Sequence, residues 1–126
     1  MFSRPPLIRP GETICRTSDL RNGQSLKFLF ATGIGPEEAF LIKYRDQFHA
    51  YVNRCRHVHI PLDYDDNDFF TEEGEYLVCK NHGAVYIPDT GECACGPCDG
   101  RNLARLILNI QGEFVILGEI PQHLKV

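Results

Sequence analysis

Cys55-Arg56-His57 and Cys79-Lys80-Asn81-His82-Gly83-Ala84-Val85-Tyr86, with twenty-one residues between His57 and Cys79, decide how this sequence is read. Each stretch opens by pairing one cysteine with one histidine at tight spacing. Structural zinc sites commonly combine Cys-x2-4-Cys with His-x3-5-His pairs. Neither half has that form. Two mixed halves offer a divided donor set instead: two soft, anionic thiolates and two neutral imidazoles. A zinc site built from mixed halves stays open as the alternative, but it leaves the segments downstream unexplained.

Those segments are Ile87-Pro88-Asp89-Thr90-Gly91, directly after Tyr86, and Gly96-Pro97-Cys98. Together with the paired half-motifs they give the chain its resemblance to the Rieske [2Fe-2S] family, above all its small stand-alone ferredoxins. The resemblance runs from about Glu12 to Gly118. A Rieske centre takes two cysteines on one iron and two histidines on the other. The resemblance therefore implies a Rieske-type [2Fe-2S] cluster with Cys55 and Cys79 on the inner iron and His57 and His82 on the outer. Around it would lie Ala84, Tyr86, Gly96, Pro97 and Cys98. The implied fold is all-β: an antiparallel sandwich or small barrel with an inserted cluster-binding subdomain. That subdomain would cover residues about 54–98 within a single domain, 1–126.

Two departures bear on redox potential. High-potential members of the family place a serine where this chain has Ala84, and a tyrosine where it has Tyr86. Hydroxyl donors to cluster sulfur favour the reduced, more negative state and raise the potential. One donor is absent here; Tyr86 is either the second or a core residue. The same members join their ligand loops by a disulfide at positions that here hold Ile60 and Asn81. The expectation is a potential in the lower half of the roughly −150 to +300 mV spanned by Rieske centres.

The chain has 126 residues, enough for one domain. A net charge of −4 argues against a nucleic-acid partner. Residues 1–10 carry Arg4 and Arg9 among prolines and lead into no apolar run, so they do not read as a secretory signal. No stretch approaches the ~20 apolar residues of a membrane helix. The expectation is a soluble, cytoplasmic protein without a membrane partner, whose cysteines serve ligation rather than a disulfide framework.

Short strands dominate: Thr13–Arg16, Leu26–Thr32, Ala39–Tyr44, Phe48–Asn53, Tyr76–Cys79, Val85–Ile87, Leu106–Ile110 and Glu113–Leu117. Arg45-Asp46-Gln47 and Gln111-Gly112 read as hairpin turns. Both ligand pairs follow strand-like segments. That suits a cluster held between two loops at one end of a small sheet assembly.

Other residues carry weaker signals. His59 reads as a surface residue or as one that tunes the cluster, and His49 and His123 as exposed. Cys15 reads as core. Cys93, Cys95 and Cys98 read as free thiols in a tight turn, with a second metal site or a Cys93–Cys98 disulfide as alternatives. The segment Asp63–Gly74 is acidic and longer than ferredoxins of this type require. Phe69 and Phe70 within it either tuck against the sheets or form a docking spot.

The function these readings support is one-electron transfer from a flavin reductase to an oxygenase or other redox enzyme. The outward edges of His57 and His82 would be the electron port. A small subunit of a larger reductase, of the nitrite reductase kind, is the second reading. A structural zinc module is the third. A complete Rieske oxygenase is nearly excluded for this chain alone. Its mononuclear iron needs two histidines and a carboxylate in a further domain, and neither the length nor the remaining histidines supply one.

Overall fold

The computed structural model describes residues 4–54, 61–63, 66–80, 83–96 and 101–124. Among the described residues ten strands are formed: β1 (Thr13–Arg16), β2 (Ser25–Thr32), β3 (Gly35–Tyr44), β4 (Gln47–Val52), β5 (Leu77–Val78), β6 (Val85–Tyr86), β7 (Cys93–Cys95), β8 (Arg105–Leu106), β9 (Leu108–Gln111) and β10 (Phe114–Leu117). They make three antiparallel sheets, ordered β1-β10-β9, β2-β3-β4-β8 and β5-β6-β7.

The run Ala39-Phe40-Leu41-Ile42 in β3 explains the arrangement. All four residues are fully buried. Successive side chains of a strand point to opposite faces, so a continuous apolar run requires cover on both. Ala39 and Leu41 join Phe28, Phe30, Ala50 and Val52 in one core, closed from the far side by Cys15, Val115 and Leu117. Phe40 and Ile42 join Tyr51 in a second core, closed by Leu62, Phe69, Leu77, Cys79, Ala84 and Tyr86. The four-stranded sheet is thus the middle layer. One face carries β1-β10-β9. The other carries β5-β6-β7, the hairpin that bears the second half-motif.

The turn joining β3 to β4 places Arg45 and Asp46 at φ of 50° and 65°, the geometry that matches the twist of a two-residue hairpin. Neither residue is glycine. Asn22 compensates through a reciprocal pair of bonds: its Nδ2 donates to Asp46 Oδ1 at 2.9 Å, and Asp46 N donates to Asn22 Oδ1 at 2.8 Å.

Expected and observed elements differ at identifiable places. β3 begins at Gly35 rather than Ala39, because all eight residues of β2 find partners across a tight turn at Gly33-Ile34. The single strand expected over Leu106–Ile110 is two, β8 and β9. Leu106 pairs with Ala50 in the middle sheet, whereas Leu108 pairs with Leu117 in the outer one. Short 3-10 turns at Thr17–Asp19 and Gln122–Leu124 and strand β7 had no sequence signal.

The acidic segment is structured over its described residues 66–74. Phe70 bridges Leu77, Val78 N donates to Phe69 O at 2.9 Å, and Thr71 N donates to Tyr76 O at 2.7 Å. These residues cover the free edge of β5, which protects it from pairing with other chains. Phe69 is fully buried and stacks on Phe40 with centroids 4.0 Å apart. The phenylalanine pair therefore tucks inward.

Candidate metal centre

Of the sequence-predicted site residues, Cys79, Ala84, Tyr86 and Gly96 are described; Cys55, His57, His82, Pro97 and Cys98 lie outside the described residues, as do His59, Ile60 and Asn81. Among the described residues no cluster of three or more His, Cys, Asp or Glu side chains forms a metal site.

Cys79 sits where the β5–β6 hairpin becomes a loop. Leu77 pairs with Tyr86 and Val78 with Val85. Cys79 N then donates to Ala84 O, and Gly83 N donates back to Cys79 O, each at 2.8 Å. The chain turns at Gly83 with φ of +75°. The Cys79 thiol is fully buried and in no disulfide. Ala84 is also fully buried, and a methyl is all it presents. Tyr86 is fully buried in the second core.

A third strand closes over this turn. At Gly96 (φ +94°) a Cβ would lie 3.0 Å from Gly83 O and 3.1 Å from the Ala84 Cα. Only a residue without a side chain allows the two backbones to come this close.

The two half-motifs are tied at their bases. Asn53, two residues before Cys55, accepts a bond from Leu62 N through Oδ1 at 2.9 Å, which closes the neck of the first loop. Leu62 O in turn accepts from Lys80 N at 2.9 Å, and Lys80 is the residue after Cys79. The fold thus brings the base of one loop to within a peptide of the other. A buried cysteine at this junction, beside the bases of both half-motifs, fits an iron–sulfur cluster.

A second network fastens the cluster hairpin to the middle sheet. Tyr51 OH donates to Pro88 O at 2.7 Å and accepts from Arg105 Nη1 at 3.2 Å; the same nitrogen donates to Asp89 O at 2.8 Å. Burial pushes the Tyr51 hydroxyl up to about 12. Arg105 Nη2 lies 2.8 Å from His49 Nδ1. Since guanidinium can only donate, His49 accepts there and carries its proton on Nε2. Burial first, and Arg105 second, hold the His49 pKa below its usual value, with Asp89 opposing in part. His49 was expected to be exposed and is 5% exposed. The alternation of β4 places it beside Tyr51 on the covered face, and that period was the signal for it. His123 is exposed, and Cys15 is core with its thiol pushed up to about 11 by burial, with Asp19 adding to the shift.

Cys93 also departs from expectation. From sequence the favoured reading is a free thiol, with a disulfide among the alternatives; Cys93 is disulfide-bonded. Cys95 is exposed.

Comparison with known proteins agrees with this geometry. A family model described as the Rieske [2Fe-2S] domain matches residues 12–122. The chain belongs to the Rieske [2Fe-2S] family. The cofactor of this Rieske domain is accordingly a [2Fe-2S] cluster. The chain is 28% identical to the ferredoxin component of the alkene monooxygenase system of Xanthobacter autotrophicus, over 86% of this chain and 80% of that one. Its fold is similar to the ferredoxin of carbazole 1,9a-dioxygenase from Nocardioides aromaticivorans IC177, with a TM-score of 0.65, 18% identity and coverage of 86% and 97%. A chain in a complex of reduced oxygenase and oxidized ferredoxin in carbazole 1,9a-dioxygenase matches with a TM-score of 0.66, 22% identity and coverage of 85% and 100%. No helix among the described residues is long and apolar enough to cross a membrane.

Proposed function

We propose that this Rieske domain is a one-electron carrier. It would take electrons from a flavin reductase and deliver them to an oxygenase or a related redox enzyme, in the cytoplasm. Its cluster would be held by Cys55 and Cys79 on one iron and His57 and His82 on the other, within a cluster-binding subdomain of residues about 54–98 in a single domain, 1–126. The observation that carries the reading is the Lys80 N to Leu62 O bond at 2.9 Å, which joins the bases of the two ligand loops. Similarity to ferredoxin components of oxygenase systems supports the direction of transfer.

The cluster, when bound, supplies reversible uptake of one electron. The chain's residues set the terms. Thiolate ligands keep one iron anionic and buried, as the depth of Cys79 favours. Neutral imidazoles leave the other iron easier to reduce. Ala84 offers no hydroxyl donor, which supports a potential in the lower part of the Rieske range. Whether Tyr86 donates to a ligand sulfur is part of the same proposal.

The test is transfer in both directions. The purified, loaded protein is mixed with NADH and a flavin-dependent ferredoxin reductase, then with an oxidized Rieske oxygenase, while visible absorbance is followed. Bleaching in the first step and recovery in the second are expected. A loaded protein that neither partner class reduces or reoxidizes would overturn the carrier role.

A further inference from the structure

We propose that Asn53, Asp63 and Lys80 form a non-covalent clamp that holds the two ligand loops at the spacing the cluster needs. The inference rests on the assignment of the two Cys/His pairs as ligands. It goes further by naming the side chains that fix their separation.

The clamp has two halves sharing one peptide. Asn53 grips the first loop at both ends: Oδ1 accepts from Leu62 N at 2.9 Å, and Nδ2 donates to Asp63 Oδ1 at 3.1 Å and to Glu38 Oε1 at 2.6 Å. Asp63 is the anchor. Its side chain is fully buried, and Oδ2 accepts from Lys27 Nζ at 3.1 Å and from Asn67 N at 2.9 Å. Lys27, itself only 10% exposed, also faces Glu38 at 3.6 Å. The carboxylate is therefore charge-paired and saturated with donors, as a buried carboxylate must be.

Lys80 supplies the other half. Its backbone N–H donates to Leu62 O, and its ammonium reaches Asp66 Oδ2 at 2.6 Å and Asp68 Oδ2 at 3.4 Å. Asp66 and Asp68 belong to the acidic segment. That segment is pinned to β2 where Asn67 Nδ2 donates to Ser25 O at 2.8 Å and Ser25 Oγ donates to Asn67 O at 2.7 Å. Residues 62–63 and 66–68 thus touch the start of the first loop, the second loop and the middle sheet. An ion pair this close to the surface adds little to global stability. Its consequence is local: with the Lys80 ammonium detached, the second loop loses its side-chain tie to Asp66 and Asp68. Groups that orient metal ligands from outside the coordination sphere alter metal retention by about 10- to 100-fold.

The test compares loaded wild-type protein with Lys80→Met, Lys80→Arg and Asn53→Ala. Loss of visible absorbance to a ferrous chelator gives the rate of cluster release, at low and at high salt. Amide exchange in β2, β3 and β4 reports whether the sheets stay intact. Lys80→Met is expected to lose the cluster several-fold faster at low salt and to lack the salt acceleration of the wild type. Lys80→Arg should return near the wild-type rate, and Asn53→Ala should accelerate loss about ten-fold or more. Sheet exchange should be unchanged in both Lys80 variants. Should Asn53→Ala not fold, the Lys80 pair decides alone. Cluster release at the wild-type rate in Lys80→Met, with wild-type protein loaded, overturns the clamp and leaves the ligand assignment standing. Wild-type protein without iron and labile sulfide in the ratio of a [2Fe-2S] cluster overturns the ligand assignment and the clamp with it.

Discussion

Replacing Tyr51 with Phe removes one oxygen from a junction on which the cluster hairpin depends. The hydroxyl is fully buried, donates to Pro88 O at 2.7 Å and accepts from Arg105 Nη1 at 3.2 Å. After truncation the Pro88 carbonyl loses this donor in a place the ring still occupies. Arg105 keeps its 2.8 Å bond to Asp89 O, so no second group is stranded. One buried acceptor left unsatisfied costs about 1–3 kcal/mol. Denaturant unfolding should therefore show a lower midpoint with an unchanged slope, equivalent to about 1–3 kcal/mol. The effect should also be local. Gly91 packs its Cα side against the Tyr51 ring, where an added Cβ would sit 2.7 Å from Cε1. Gly91 N donates to Ile87 O, and Leu103 N donates to Gly91 O. Those two amides should exchange faster in the variant while the β2–β3 ladder keeps its protection. A stability loss under about 0.5 kcal/mol, or acceleration spread evenly over all three sheets, would refute the reasoning that Tyr51 fastens this turn.

Phe69→Ala should cost about 3–5 kcal/mol, because it empties a fully buried site stacked on Phe40; a loss near that of a surface substitution, again by denaturant unfolding, would mean the acidic segment is not part of the core. His49 should impose a pH dependence on stability. Its folded pKa lies below the ordinary 6.5, so the unfolded chain takes up the proton first. The contribution is complete above 6.5 and is lost as pH falls through the folded pKa. His49→Gln should flatten that slope in unfolding measured on the acid side of neutrality, and a variant with the wild-type slope would assign it to other groups.

The family and its cluster were legible because the two Cys/His half-motifs are written in spacings of one or two residues. β1 was legible to the residue, and β2, β4 and β10 to within a residue, since local alternation governs them. Features set by distant partners were not. The period of β4 hints at the burial of His49, but its partner Arg105 lies fifty-six positions away, and nothing local in the sequence names it. The break between β8 and β9 comes from the chain crossing between sheets at Ile107, against which Gly118 packs so closely that a Cβ would meet Ile107 Cγ2 at 2.7 Å. The acidic segment was ambiguous because charge and aromatic content point opposite ways; the Phe40 stack decides it. Asn53 and Asp63 gave one faint sign, polar residues at the ends of a loop whose flanking strands are apolar.

The central claim is that two cysteines and two histidines from the paired loops hold one [2Fe-2S] cluster. Electron paramagnetic resonance of the dithionite-reduced protein tests it most directly. The account predicts a one-electron signal whose average g value is lower than that of all-cysteine [2Fe-2S] clusters, because neutral imidazoles replace thiolates on one iron. A colourless protein with no such signal and stoichiometric zinc, made under ample iron and sulfide supply, would contradict it.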